Sequence, residues 1–354
     1  VESVRDALGR LGTFLFLLAI LVFILILGVL QNGPSVLNPA TLLQIFLIGI
    51  SNGAIIALIA LGYTLVYGII ELINFAHGDV FMLGTMLSLT LITWAPKAIF
   101  GVAQARALPT VPLAALLVVT LVLAMVFCAT LNATIERLAY RRLRHAPRLA
   151  PLISAIGVSF MLVNVGLAWK GASPLNFPNL IPPTDIFRDV LGIQTNVFFT
   201  IKDIAVIAIT IPLMLALHLF VTRTKLGKAM RATAQDRDAA AMMGIDINLT
   251  ISLTFLLGGS LAGAAGLISG LYNNTAWYFQ GFRGGLLAFT AAVLGGIGNI
   301  YGAVLGAIVI GIVSAASDFM FDPRWTQAIV FATLVLILVF RPTGLLGEET
   351  PERA

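Results

Sequence analysis

Residues 53–93 read "GAIIALIALGYTLVYGIIELINFAHGDVFMLGTMLSLTLIT". Neither the stretch 53–69 nor the stretch 80–93 carries a charged side chain, yet Glu71, Asn74, His77 and Asp79 stand between them. Apolar runs approaching ~20 residues are long enough to cross a hydrocarbon core. With no water there to bond the backbone, such runs must be helices. A transmembrane barrel strand would alternate apolar and polar residues, and these runs do not. Ionisable groups at membrane depth are expensive and usually functional, so the break reads in three ways: a proton relay, a ligand site, or a corner between two helices. His77 belongs to the residue type that switches near neutral pH. Against a relay, Asn74 suits a helix cap, Gly78 suits a chain turn, and Asp79 suits a helix N-terminus. The corner is preferred, with Glu71 at the cytoplasmic end of the preceding helix; the titrating reading stays open beside it.

Working outward, the whole chain shares this character. Of 354 residues, 59% are hydrophobic and 10% charged, with a mean hydropathy of +1.01. A soluble core of this length cannot hide so much apolar surface. The expected fold class is an all-α polytopic membrane protein of about 8–10 transmembrane helices with broken or re-entrant segments. Ten spans are predicted: 12–30, 41–70, 72–93, 110–134, 149–169, 203–221, 249–272, 285–299, 301–317 and 324–340. Residues 12–30 follow Arg5 and Arg10 and read as a retained anchor, since "QNGPSV" offers no small-x-small cleavage site. The chain divides into an N-terminal tail and anchor (1–40), a polytopic body (41–347) and a cytoplasmic tail (348–354). With both termini in the cytoplasm, 14 of the 21 Lys and Arg residues fall inside, the bias expected of membrane proteins. Orientation therefore explains the pI of 9.6 and no nucleic-acid partner is implied. Cys128 is the sole cysteine, which excludes an intramolecular disulfide and a cysteine metal cluster.

The 30-residue run 41–70 invites a tilt or break. The run 285–299, "GLLAFTAAVLGGIGN", is too short to cross comfortably and reads as a half-helix, tolerated where protein covers it or where it lines a cavity. Fourteen of the 33 glycines lie between 258 and 311. Most recur at spacings of four that let helix backbones approach; Gly295, Gly296 and Gly298 instead weaken the helix itself, and read as either structural or pathway-lining. "SNGAIIALIALGYTLVYG" (51–68) echoes "GGSLAGAAGLISGLYNN" (258–274), and each is followed by a polar break. The predicted topology starts the two on opposite sides, the arrangement of an inverted repeat.

The loop 222–248 contains "AQDRDAAAMMG". Its Ala and Met residues form helix readily and Gly244 supplies a stop. Ala239, Ala240 and Ala241 present little bulk to a groove, and Asp236, Arg237 and Asp238 set register by charge. An ordinary basic loop at lipid headgroups is the competing reading.

Four blocks, "YTLVYGIIELINFAHGD", "LISAIGVS", "TKLGKAMRATAQDRDAAAMMGI" and "AFTAAVLGGIGNIYGAVLGA", resemble in order and spacing the permease subunits of ABC importers for branched-chain amino acids. The resemblance runs from about 41 to 347. It implies a multi-pass subunit of a bacterial-type plasma (inner) membrane. It also implies four partners: a second homologous permease, two cytoplasmic ATPase subunits and a soluble substrate-binding protein. "QDRDAAAMMG" is similar to the loop that docks a short helix on the ATPase, which assigns Asp236, Asp238, Ala239, Ala240 and Gly244 to coupling. Tyr63, Asn74, His77, Thr290, Gly295, Gly296 and Asn299 are the candidate pathway residues. No cofactor or metal is expected in this chain; ATP-Mg belongs to the ATPases. The sequence has no Gly-x-x-x-x-Gly-Lys-[Ser/Thr] loop, so the chain is not expected to be an enzyme. Leucine, isoleucine and valine fit a lightly charged path, as do urea and short amides. The proline-rich loop 170–202 carries no substrate signature. A proton-coupled secondary transporter is the rival from another class, but one cluster at 71–79 is no chain of carriers across a bilayer. An intramembrane hydrolase built on Ser260 lacks a convincing partner for the nucleophile.

Overall fold

The computed structural model describes residues 22, 26, 28–30, 33, 37–144, 146–147, 149–340 and 343–347. The predicted anchor over 12–30 and the tail over 348–354 lie largely or wholly outside them. Eleven helices are named in chain order: α1 Pro39–Ile70, α2 His77–Phe100, α3 Thr110–Ile135, α4 Leu149–Lys170, α5 Ile201–Arg223, α6 Lys225–Gln235, α7 Arg237–Met242, α8 Ile247–Asn273, α9 Gln280–Gly295, α10 Ile300–Met320 and α11 Thr326–Phe340. Two-residue strands β1 Leu175–Asn176 and β2 Thr275–Ala276 pair antiparallel. Among the described residues seven helices are long and apolar enough to span: α1 to α5 (α3 with its continuation to Leu143), α8 and α10. The shorter α9 and α11 pack with them.

Local chemistry sets the ends. Asn38 caps α1 by accepting from Ala40 N at 3.1 Å, with Pro39 in the first turn, where its missing N–H costs nothing. Thr200 and Asp203 form a reciprocal capping box on α5. The helix predicted from 72 starts at His77, because α1 ends on Glu71 in the left-handed conformation (φ 52°). The short run predicted at 285–299 is α9, shifted to start at Gln280 and stopped by Gly296 (φ 103°). Its 16 residues rise about 24 Å, less than the ~30 Å of a hydrocarbon core.

In their most apolar windows α1, α2, α8 and α10 are 67%, 72%, 78% and 61% buried, whereas α3, α4 and α5 are 22%, 17% and 22% buried. The first four are therefore the centre and the last three the outer layer. Small residues permit the central contacts: α10 backbone at Ile312 and Ile308 lies against Gly49 and Gly53 of α1, and Gly84 of α2 lies against Gly263 of α8. At one end, here the basic end, Arg141, Arg144 and Arg237 gather around α1's C-terminus and α8's start. At the opposite end the loop 170–202 is folded down. Fully buried Phe177 packs on Gly270, and Phe198 backbone is held by Gln44 of α1.

The internal echo has a geometric counterpart. Glu71 and Asn274 are the only non-glycine residues with positive φ among those described, each at 52°. Each ends a long helix, and each is the first of six residues before the next helix begins. A glutamate costs roughly 1–2 kcal/mol in that conformation whereas asparagine tolerates it, so the break at Glu71 is held by its surroundings. α1 ends and α8 begins at the basic end, so the two copies run oppositely. The helices after the breaks meet: a Cβ on Gly78 of α2 would collide with the Gly281 carbonyl of α9 and lie 2.8 Å from Gly285 Cα.

Candidate functional site

The break at 71–76 is a buried corner. Asn74 does not cap α2; Ala76 occupies the cap position with no side-chain bond. Instead the Asn74 amide donates to Asn132 Oδ1 (3.2 Å) and its oxygen accepts from Tyr140 (2.8 Å). Asn132 in turn donates to the Phe255 carbonyl at 2.7 Å, which ties the corner to α3 and α8. His77 is fully buried, edge-on to Tyr63 with centroids 4.9 Å apart. Its imidazole fills the notch left by Gly62. The Ile59 carbonyl faces the ring, but neither nitrogen reaches hydrogen-bond geometry. Asp79, in the first turn of α2, accepts from Ser159 of α4 at 2.5 Å. Glu71 is exposed at α1's basic end.

One face of α1 borders three hollows in succession. At the opposite end a cavity of about 370 Å³ touches Asn52, Ile55, Ile56 and Ile59 together with Gln280, Arg283, Ser314 and Asp318. Next, a hollow of only about 10 Å³ lies among Tyr63, Tyr67, Ile73, Phe289 and Val293, room for about one water. At the basic end a cavity of about 620 Å³ is lined by Tyr67, Ile70, Glu71, Tyr140, Arg144 and Arg237. Positions 52, 56, 59, 63, 67 and 70 recur every three or four residues, so one stripe of one helix serves all three. The stripe is closed at its middle by aromatic rings: Tyr63 and Phe75 each pack on Phe289 with centroids 6.2 Å away.

The segment after α5 holds a short helix, α7, capped at both ends and exposed along one side. Asp236 caps α7 by accepting from Asp238 N and Ala239 N, both at 3.0 Å. Gly244 (φ 82°) closes it in a Schellman turn, with Gly244 N bonded to Ala241 O and Ile245 N to Ala240 O. Asp238, Ala239, Ala241, Met242 and Met243 face outward, whereas Ala240 is buried against the bundle. Arg237 turns back and donates to the Ile69 carbonyl in α1's last turn at 2.9 Å. Behind it, buried Glu136 is gripped by Arg141 and Arg144 and accepts from Ser252 of α8 at 2.6 Å. Glu136 opens a π turn, Glu136–Tyr140, that continues α3.

The structure thus brings Tyr63, Asn74 and His77 into one neighbourhood. Thr290 is fully buried within α9. Gly295, Gly296 and Asn299 form another group, where the C-terminal segment is fastened. Leu346 N donates to Gly295 O at 3.0 Å, Asn299 donates to Leu346 O at 2.9 Å, and Gly344 and Gly347 pack on Gly296. Ser260 donates to the Leu257 carbonyl of its own helix at 2.7 Å. His218 meets the Tyr301 hydroxyl at 3.1 Å. Sequence reasoning passed over Asn52, Ile59 and Tyr67, although their spacing from Tyr63 was the available signal. Phe289, Gln280, Arg283, Ser314 and Asp318 lie on distant segments and gave none.

Comparison with known proteins agrees with this architecture. A family model described as "Branched-chain amino acid transport system / permease component" matches residues 45–338. The chain is 38% identical over 311 residues to the high-affinity branched-chain amino acid transport system permease protein BraD of Pseudomonas aeruginosa, covering 88% of this chain and 97% of that protein. It is 37% identical over 307 residues to LivH of Escherichia coli strain K12, covering 86% and 95%. A probable LivH of Methanocaldococcus jannaschii is 27% identical over 309 residues, covering 84% and 90%. No solved structure matches the chain significantly. Likeness that runs nearly end to end, through both breaks and the segment after α5, leaves one conclusion: the chain belongs to the family of permease components of branched-chain amino acid transport systems.

Proposed function

We propose that this chain is a transmembrane subunit of a binding-protein-dependent ABC importer that moves branched-chain amino acids into the cytoplasm by alternating access. The observation that carries the mechanism is Arg237. It belongs to the outward-facing docking segment, yet it grips the end of the helix whose single face borders all three hollows. Two ATPase subunits would dock at α7 and bind ATP-Mg, which supplies the energy as nucleotide closes their dimer. Pressure on Asp238, Ala239 and Met242 would reach α1 through Arg237 and tilt the Tyr63–Phe289 closure. Asn74 and His77 brace the closure from behind, while Gly295, Gly296 and Asn299 hold the short helix that carries Phe289. Thr290 sits on that same helix. A second homologous permease would complete the wall, and a soluble binding protein would deliver solute at the opposite end. The basic end is then cytoplasmic, the termini lie on that side, and the membrane is the bacterial plasma membrane.

Reconstitution in proteoliposomes with the partner subunits and binding protein tests this reading. Leucine uptake that requires ATP on the ATPase side is expected. Uptake of urea or a short amide in place of leucine would replace the substrate. Uptake driven by a proton gradient without the ATPases would overturn the mechanism.

A further inference from the structure

The cavity at the end opposite the basic end carries two unlike charges that do not pair with each other. Arg283, in the first turn of α9, makes no hydrogen bond or ion pair among the described residues, and it is exposed at the cavity wall. Asp318, in the last turn of α10, accepts from Thr326 through one oxygen, leaving the other free of any protein hydrogen bond. Two further side chains each keep one polar atom without a protein partner. Ser314, one turn before Asp318, is 6% exposed with an unbonded Oγ. Gln280 accepts from Trp277 N at 3.1 Å through its oxygen, while its Nε2 is buried and unbonded. A buried polar atom without a partner is costly, so unbonded groups converging on one hollow point to a polar ligand as their partner.

The deeper wall is Ile56, Ile59 and Phe81, directly above the Tyr63–Phe289 closure. A cavity of about 370 Å³ is of the size that holds small ligands. We infer that this cavity is a solute-binding site of the permease itself, shaped for a zwitterionic α-amino acid with an aliphatic side chain. Arg283 and the Gln280 amide take the carboxylate, aided by the positive N-terminal end of α9. Asp318 and Ser314 take the ammonium, and the aliphatic group rests on Ile59 and Phe81 above the closed ring pair. The inference rests on the import function proposed above and adds that selection by charge is repeated on the membrane subunit after the binding protein releases its load.

The test uses the assembled importer in lipid nanodiscs without binding protein. Binding of L-leucine, of 4-methylpentanoate (no amino group) and of isopentylamine (no carboxylate) is measured by saturation-transfer NMR. Leucine should bind and each analogue should bind at least tenfold more weakly. Arg283→Gln should weaken leucine at least tenfold while leaving isopentylamine unaffected, and Arg283→Lys should recover part of the loss. Asp318→Asn should do the converse, sparing 4-methylpentanoate. The analogue that each variant spares shows that the cavity remains folded. ATP-driven leucine transport in wild type, with leucine binding equal in wild type and both variants, would overturn this site and leave the import function standing. Absence of leucine transport in the complete wild-type system would overturn the import function and the site together.

Discussion

His77 shows how a single residue can carry two readings. An imidazole between two apolar runs invites a titrating role, but this ring borders none of the three cavities and fills the space that Gly62 leaves beside Tyr63. Its contribution is volume and shape, since close-packed interiors register even one missing atom group. His77→Gln should therefore lower thermal stability by about 1–3 kcal/mol, the range for a changed fit in a packed core. The pH profile of uptake should stay as in wild type. Thermal unfolding in detergent and uptake between pH 5.5 and 8 (roughly the window in which histidine switches) check the two halves; a flattened pH profile would restore the relay. That the four polar residues form a corner was legible from the sequence. What they bond to was not: Asn74 reads locally as a cap, and its partners Asn132 and Tyr140 are 58 and 66 residues away. Local pattern cannot see a partner at that separation.

At the scale of the element, the segment Lys225–Gly244 joins an exposed short helix to the end of α1. Its stop at Gly244 was read from residue type; Asp236 was read as a register-setting charge, and the fold makes it the cap of α7. The return contact from Arg237 to the Ile69 carbonyl was not, because it depends on α1 ending beside α7. A bond from a charged donor contributes about 1.5–3 kcal/mol, and 1.4 kcal/mol is a factor of about ten in an equilibrium. Arg237→Gln should leave the ATPase subunits bound, since the outward residues Asp238, Ala239 and Met242 are untouched. It should reduce leucine imported per ATP hydrolysed by about tenfold. Measuring uptake and phosphate release on the same proteoliposomes decides this; equal ratios for variant and wild type would mean force reaches α1 by another contact. The short α9 was likewise foreseen as an interrupted helix from its glycines. That the C-terminal segment at 343–347 satisfies its last carbonyls was invisible, because any backbone N–H can play that part.

For the whole molecule, the decisive property is that two oppositely running copies of helix, six-residue break and helix meet at Gly78 and Gly281. The sequence echo hinted at this, and the paired left-handed residues Glu71 and Asn274 give it a physical form. Such an arrangement places broken helices at mid-depth, where exposed backbone is tolerated if protein or a cavity covers it. It also makes accessibility a test of the whole topology. The native Cys128 is fully buried and donates to the Val80 carbonyl at 3.4 Å, so Cys128→Ala gives a background without reactive thiols at little cost in volume. On that background Asn52→Cys borders the cavity opposite the basic end, and Tyr67→Cys borders the basic-end cavity. The two lie fifteen residues apart on α1, about 22 Å along its axis, with the ring closure at Tyr63 between them. An impermeant maleimide added outside intact cells should label Asn52→Cys and spare Tyr67→Cys, and added to inverted vesicles should do the reverse. When ATP hydrolysis is blocked so that the ATPase dimer stays closed, the labelling rate at the two positions should change in opposite directions. Rates that rise or fall together would mean that the ring pair opens a continuous channel, which would rule out alternating access for this fold.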